Sequence, residues 1–496
     1  MYLGVDCGTQ GTKVVVLDAE KKNVIAQGYS EHELISAANG RREQEPKWWI
    51  EAFLKAFQKA VESSGIQPCD INAIGVSGQQ HGLVVLDEKG EVIRPAKLWC
   101  DTETAPQNQQ LLDALGGDQG SIDAVGLVIA TGYTASKLLW MKQHEPENFS
   151  RIVHILLPHD YLNYWLTGNC VAEFGDASGT GFMDVRTRQW STQVLDIIDG
   201  RLVDALPNLI EAHQPAGVIR PELAKSLGLN ENVLVSSGGG DNMMGAIGTG
   251  NITPGVVTIS LGTSGTLYAY SDKSPMLDHA SVAPFCSSSN GWLPLICTMN
   301  LTGVMNQFRG LFSLDILQMN EAIANTPIGA EGITALPFLS GERVPALPDA
   351  NGSILGLNSD NLSAGNILRS VMEGTTFGLR YGMDLLRESG IKSTELRLIG
   401  GGAKSPLWRQ MIADVMNTKV VCPELPEAAA VGAAIQAQWC HASHLGKDVS
   451  LLDLCDRYIS IDASSSVSPI PNNVTAYESA YQRYRSHLSV LFPDSE

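Results

Sequence analysis

The stretch VDCGTQGTKVV at residues 5–15 returns as ISLGTSGTLYA at residues 259–269. Aligned on their glycines, Gly8, Thr9, Gly11 and Thr12 fall on Gly262, Thr263, Gly265 and Thr266 at one constant offset. Each copy lies between short β-forming runs and reads as strand, glycine-threonine turn, strand. A single turn of this kind is ordinary hairpin chemistry. Its recurrence half a chain later points to a duplicated supersecondary unit, two α/β lobes with one turn each facing a shared cleft. A chain of 496 residues is also too long for one core.

The flanking segments agree. Trp49, Phe53, Phe57 and Val61 recur at helical spacing between Pro46 and Gly65. The runs 71–78 and 82–99 read as strands around a hairpin, with GQQHG at the bend. In the second half, Ile367, Val371, Leu379 and Met383 predict a long helix. ELRLIGGGAKSPLWRQMIADVMN reads as strand, glycine loop and helix, with Ser405 as N-cap and Pro406 first in the helix. The segment 426–440 is a small-residue helix suited to close packing, 461–473 a Ser/Pro loop. Tyr477, Tyr481, Tyr484 and Leu488 form one face of a last helix, a stripe that belongs to core or interface. The expected division is an N-terminal lobe over 1–246, a second lobe over 247–440, and a C-terminal loop and helix over 441–496 packing on both.

Bulk chemistry narrows the function. A net charge of −19 argues against nucleic acid or an anionic membrane as the main partner, though a cleft can still hold an anionic substrate. Nine scattered cysteines with no CxxC pair read as reduced thiols, and no apolar run reaches membrane-spanning length. The chain opens directly on a strand, so a cytoplasmic protein is the expectation.

Glycines let backbone N–H groups approach a ligand, and threonine hydroxyls add donors, so two opposed turns make a phosphate cradle. GxxxxGK[ST], GxGxxG after a strand and HExxH are all absent, which removes the P-loop, dinucleotide and common zinc classes. VLVSSGGGDNMMG (233–245) runs a strand into three glycines and then Asp241-Asn242, just before the second turn. Asp241 is either a helix cap, a cleft carboxylate, or both. Gln79, Gln80 and His81 offer amide and imidazole groups of the kind that bind sugar hydroxyls, or a plain polar turn.

Two longer patterns sharpen this. GYTASKLLWMKQH (132–144) and GSILGLNSDNLSAGNILRSVMEG (352–374) resemble the two signatures of the FGGY carbohydrate kinases, members of the sugar kinase, actin and heat-shock ATPase class. LLPHDYLNYWLTG, FLSGERVP and LIGGGAKSPLWRQMIADV are similar to family segments as well. The resemblance covers nearly the whole chain. It implies a fold of two actin-like (ribonuclease H-like) lobes and transfer of the γ-phosphoryl of MgATP to a primary sugar hydroxyl. D-xylulose is the implied acceptor at its 5-hydroxyl, with L-ribulose or a ribitol-type polyol as the alternative. An actin-like ATPase without a sugar acceptor is a more distant one.

By the same resemblance Asp241 is the general base and Asp6 helps hold Mg²⁺ through water. Thr9, Thr12, Gly262 and Thr263 contact the ATP phosphates. Gly303 and Gln307 line the nucleotide site, and Gly401, Gly402, Ala403 and Ser405 border adenosine. Gln80, His81, Asp241, Asn242 and Asp101 bind the sugar, with Trp48-Trp49 nearby. The glycerol-kinase Arg-Glu pair is missing at GQQHG, and many relatives carry Met where this chain has Gln80. A carboxylate of ordinary pKa, about 4, suits the general-base role of Asp241, because the hydroxyl becomes acidic only as its bond to phosphorus forms. A homodimer is left open.

Overall fold

The two matched turns each close the first hairpin of a seven-stranded sheet. A computed structural model describes residues 1–275, 280–425 and 427–493. In the first sheet, β1 (Tyr2–Cys7), β2 (Gly11–Asp18) and β3 (Asn23–Glu31) form an antiparallel meander. Helix α1 (Pro46–Ser64) then crosses to β4 (Ala73–Gly78), which runs parallel to β1. Two further helices used below are α2 (Thr134–His144) and α3 (Pro158–Thr167). Strands β5 (Pro215–Val218) and β6 (Leu234–Ser236) finish the sheet, and the two-residue β7 (Gly239–Gly240) pairs with the end of β4 and leads into α4 (Asp241–Gly248).

The second sheet repeats the order. Strands β8 (Val256–Leu261), β9 (Gly265–Ala269), β10 (Ala283–Cys286) and β11 (Trp292–Thr298) are antiparallel neighbours. After α5 (Thr302–Leu311) and α6 (Ala364–Glu388) comes β12 (Glu395–Ile399), parallel to β8. Helix α7 (Pro406–Met416), β13 (Lys419–Pro423), α8 (Ala428–His444), β14 (Ile461–Val467) and α9 (Pro471–Leu491) complete the unit. Meander, parallel strand, parallel strand occurs twice, which is the actin-like duplication expected from the repeated turn.

Packing follows the apolar spacing. Trp49, Phe53 and Phe57 bury α1 on the first sheet, and Tyr477, Tyr481, Tyr484 and Leu488 bury α9 in the core of the second. The small-residue helix α8 has a different place from its neighbours in sequence. It lies across β1, β4 and α4 of the first unit, so close that a β-carbon on Gly4 would stand 1.9 Å from the carbonyl oxygen of Ala430. Ala and Gly therefore suit α8 because the distance between backbones, not side-chain volume, sets its seat.

Two local expectations change. The segment 461–473 is no loop, since β14 occupies 461–467 and pairs antiparallel with β13, Val467 opposite Val420. The buried Ser465 hydroxyl accepts from the Cys422 amide at 2.8 Å and donates to the Asp462 carbonyl at 2.6 Å, so polar side chains support an edge strand whose backbone the neighbour pairs. The run after GQQHG does not fold back on β4. Val84–Leu86 pairs with His154–Leu156, and Ala96–Lys97 with residues of Arg42–Gln44. All nine cysteines are unpaired. Among the described residues no helix is long and apolar enough to cross a membrane.

Candidate active site

The end of β1 carries Asp6, whose Oδ1 accepts from Ser77 Oγ at 2.9 Å. Burial raises its pKa; the Ser77 hydrogen bond and the nearby ammonium of Lys13 pull the other way. The first turn follows and is braced from outside the hairpin. Thr9 Oγ1 donates to Gln79 Oε1 (3.0 Å) and accepts from Trp99 Nε1 (2.9 Å), while Thr9 O accepts from Gln44 Nε2 (2.8 Å). Gln44 Oε1 in turn takes the indole N–H of Trp49, so that tryptophan is a core residue that supports the turn. Thr12 is fully buried in β2, its hydroxyl without a partner.

Asp241 is the first residue of α4 rather than its cap, a position held by Gly240. Its Oδ1 accepts from the Asn242 amide (2.7 Å) and from Asn242 Nδ2 (3.0 Å), and the same Nδ2 reaches Gln80 Oε1 (3.0 Å). Burial, followed by the negative charges of Asp6 and Asp176, pushes the Asp241 carboxyl up to about 7. This corrects the expected value near 4. The cause is first the carboxylate's removal from water and then the acids around it.

His81 stands in a left-handed conformation, φ 64°, and stacks on Tyr133 with ring centroids 4.5 Å apart. Burial, with Lys137 nearby, pushes its pKa down to about 3, so the ring is neutral. Nδ1 lies 2.7 Å from the Gly179 carbonyl, which fixes the proton there by hydrogen-bond logic and leaves Nε2 as an acceptor. The strained turn is clamped from behind by α2: Lys137 Nζ donates to His81 O and to Gly132 O, both at 2.6 Å, and Thr134 Oγ1 donates to His81 O at 3.1 Å. The first signature had no assigned task for Gly132, Thr134 and Lys137, whose partner lies more than fifty residues upstream. Burial lowers the Lys137 pKa to about 7.

Asp101 is fully buried in an ion network. Its Oδ2 accepts from Arg42 N (2.8 Å) and Lys97 Nζ (3.3 Å), and Oδ1 has no partner. Glu43, Asp101 and Glu103 converge within 4.8 Å of one another, but Lys97 meets all three, so an ammonium already supplies the cation.

The second turn gathers the remaining candidates. Thr302 N and Oγ1 donate to Gly262 O (3.2 and 2.7 Å), and Gly303 N donates to Thr263 O (3.2 Å), which docks the start of α5 on the turn. A β-carbon at Gly402 would meet Leu261 Cβ at 2.8 Å and Thr302 Cγ2 at 3.1 Å, so the 401–404 turn lies against the same point. Ala403 is buried there, Ser405 caps α7 by accepting from Trp408 N (3.3 Å), and Gln307 is exposed one helical turn beyond Gly303. Asp241 ties the halves together. Its charge acts on Asp6's side and on Tyr268 and Cys297, and Cys297 is the strand partner of Thr266. Arg343, in a loop anchored by buried Glu342, projects an exposed guanidinium to within 3.8 Å of Cys297 Sγ. FLSGERVP carried no sequence signal for that placement.

Comparison with known proteins follows the same two halves. Residues 1–248 match the N-terminal domain of the FGGY family of carbohydrate kinases and residues 257–440 its C-terminal domain. The chain is 53% identical to a xylulose kinase of Haemophilus influenzae over 99% of this chain and 100% of that one. It is 33% identical to a xylulose kinase of Escherichia coli over 99% of each. The crystal structure of a xyloylose kinase from Brucella ovis superposes with a TM-score of 0.91 at 30% identity, covering 99% of both chains. Doubled sheet, paired turns and both domain matches have one explanation: the chain belongs to the FGGY family of carbohydrate kinases.

Proposed function

We propose that this carbohydrate kinase transfers the γ-phosphoryl group of MgATP to the 5-hydroxyl of D-xylulose. The observation that carries the reading is Asp241, an acid of raised pKa set between the strand ends of the two matched turns and bonded to Asn242 beside Gln80. In this reading the sugar side belongs to the first lobe (1–246), the ATP side to the second (247–440), and 441–496 packs on them. The several relatives named for xylulose support the choice of acceptor.

Asp241 would hold the attacking hydroxyl and take its proton as the bond to phosphorus forms. Gln80, Asn242 and neutral His81, with its free Nε2 acceptor, would orient the remaining hydroxyls. Gly262, Thr263, Gly303 and the 401–405 turn would face the nucleotide, with Thr9 and Thr12 across from them. Asp6 fits a hydrated Mg²⁺: it is a hard carboxylate, partly buried, with Ser77 on one oxygen and a second acid in electrostatic range. Bound there, the ion would offset phosphate charge. Lys13, which pairs with Glu427 at 2.5 Å, is the ammonium nearest Asp6 in its electrostatic surroundings.

A coupled ATP-consumption assay over a panel of ketoses and polyols tests the acceptor. D-xylulose should give the highest kcat/KM, and a higher value for L-ribulose or ribitol overturns the choice. The raised carboxyl gives a second expectation. The basic form of Asp241 is lost as pH falls through about 7, so kcat/KM for the sugar should decline on the acid side of neutrality. The same limb should appear in kcat at saturating MgATP, where it reports the ionisation in the enzyme–substrate complex. A profile flat from pH 5 to 8 under both conditions contradicts this.

A further inference from the structure

Behind Asp241 lies a second set of acids that the kinase reaction does not call for. His159, on α3, has Nδ1 2.5 Å from Asp176 Oδ2 and Nε2 3.2 Å from Asp160 Oδ1, and all three side chains are buried. Glu173 holds the same turn: it accepts from the amides of Gly175 (2.8 Å) and Asp176 (2.6 Å) and from Ser288 Oγ (2.9 Å). The glycines after β6 exist for this contact. A β-carbon on Gly238 would stand 2.9 Å from His159 Cδ2, and one on Gly240 would stand 3.0 Å from both Asp176 Oδ1 and Gln80 Cδ.

Two buried atoms flank Gly240 without hydrogen-bond partners, the acceptor Asp176 Oδ1 and the donor Gln80 Nε2. The other end of the Gln80 amide is committed, since Oε1 accepts from Asn242 Nδ2 at 3.0 Å. Flipping that amide would set an N–H against the Asn242 amide N–H, a repulsive contact in place of the hydrogen bond there. Both free groups face the same point, since Asp176 Oδ1 and the amide carbon of Gln80 each stand 3.0 Å from the β-carbon position of Gly240. We propose that Asp176, clamped by His159, is a positioning residue that sets the Gln80 amide and, through it, the Asn242–Asp241 pair that receives the sugar. The proposal rests on the functional reading above and goes beyond it, because it assigns a task to the buried His159–Asp176 pair.

The test is a double-mutant cycle with D-xylulose as probe. Asp176→Asn should raise the sugar KM about tenfold, the cost of one buried acceptor lost beside the Gln80 amide, with the ATP KM within about twofold of wild type. Gln80→Glu, which opposes two acids, should be about tenfold worse in sugar KM than Gln80→Met. Combining Gln80→Glu with Asp176→Asn restores a matched donor and acceptor and should recover most of that loss. A purely structural Asp176 predicts additive losses in both KM values and no rescue, which overturns the proposal. Should Asp176→Asn not fold, Gln80→Glu no worse than Gln80→Met overturns it equally. A wild-type enzyme inactive on D-xylulose counts instead against the functional reading, and the cycle is then read on the ketose it does phosphorylate.

Discussion

Asp241→Asn should lower kcat for D-xylulose by about 10²–10⁴, the usual contribution of a positioned general base. The substitution keeps the shape of the side chain and can still accept from the Asn242 amide, now 2.7 Å from Oδ1. What it removes is the lone basic site able to take the hydroxyl proton. It also removes a negative charge that acts together with Asp6, so binding of MgATP should hold or improve, with the ATP KM at or below the wild-type value. The acid limb of the pH profile should vanish with the group that causes it. Measurement of kcat at saturating sugar decides the matter, because wild-type turnover in Asp241→Asn removes this residue from the chemistry. The same loss in kcat accompanied by a large rise in the ATP KM would place Asp241 on the nucleotide instead.

How far the sequence reads toward this site depends on the range of the contacts. The two hairpins, α1, α6 and the capped α7 are local: their turn residues, periodic apolar positions and the Ser405-Pro406 start lie within a few residues of one another. Asp241, Asn242 and Gln80 were legible because glycines mark both segments, although their mutual hydrogen bond spans 162 residues. The role of Lys137 was hidden, since its partners are backbone carbonyls and nothing in the composition of α2 distinguishes that lysine from a solvated one. The family resemblance put Asp101 at the sugar; the charges packed around it, Lys97 with Glu43 and Glu103, come from segments whose meeting no local pattern announces. Strand β14 was missed because its serines carry no apolar alternation, and an edge strand is recruited by its neighbour's free backbone.

Two glycine-to-alanine changes should move the protein in opposite directions, for a reason only the packing supplies. Gly432 sits inside α8, and a β-carbon there would stand 1.9 Å from the carbonyl oxygen of Met244 and 2.8 Å from the amide of Gly248. Both belong to α4, the helix that begins at Asp241. Backbone cannot rotate away as a side chain can, so α4 must retreat by about 1 Å. Overpacking of this kind costs about 1–3 kcal/mol, and a displacement of that size at a catalytic carboxylate costs on the order of 10²-fold in rate. Gly378 is equally helical and buried, in α6, but has no atom within 4 Å of the added methyl position. There alanine should stabilise by about 0.5–1 kcal/mol through the lost freedom of the unfolded chain, with kcat unchanged. Thermal melts and turnover measured side by side give the answer. If Gly432→Ala melts and turns over like wild type, α4 and α8 do not meet backbone to backbone, and the geometry that brings Asp241 between the two turns loses its support.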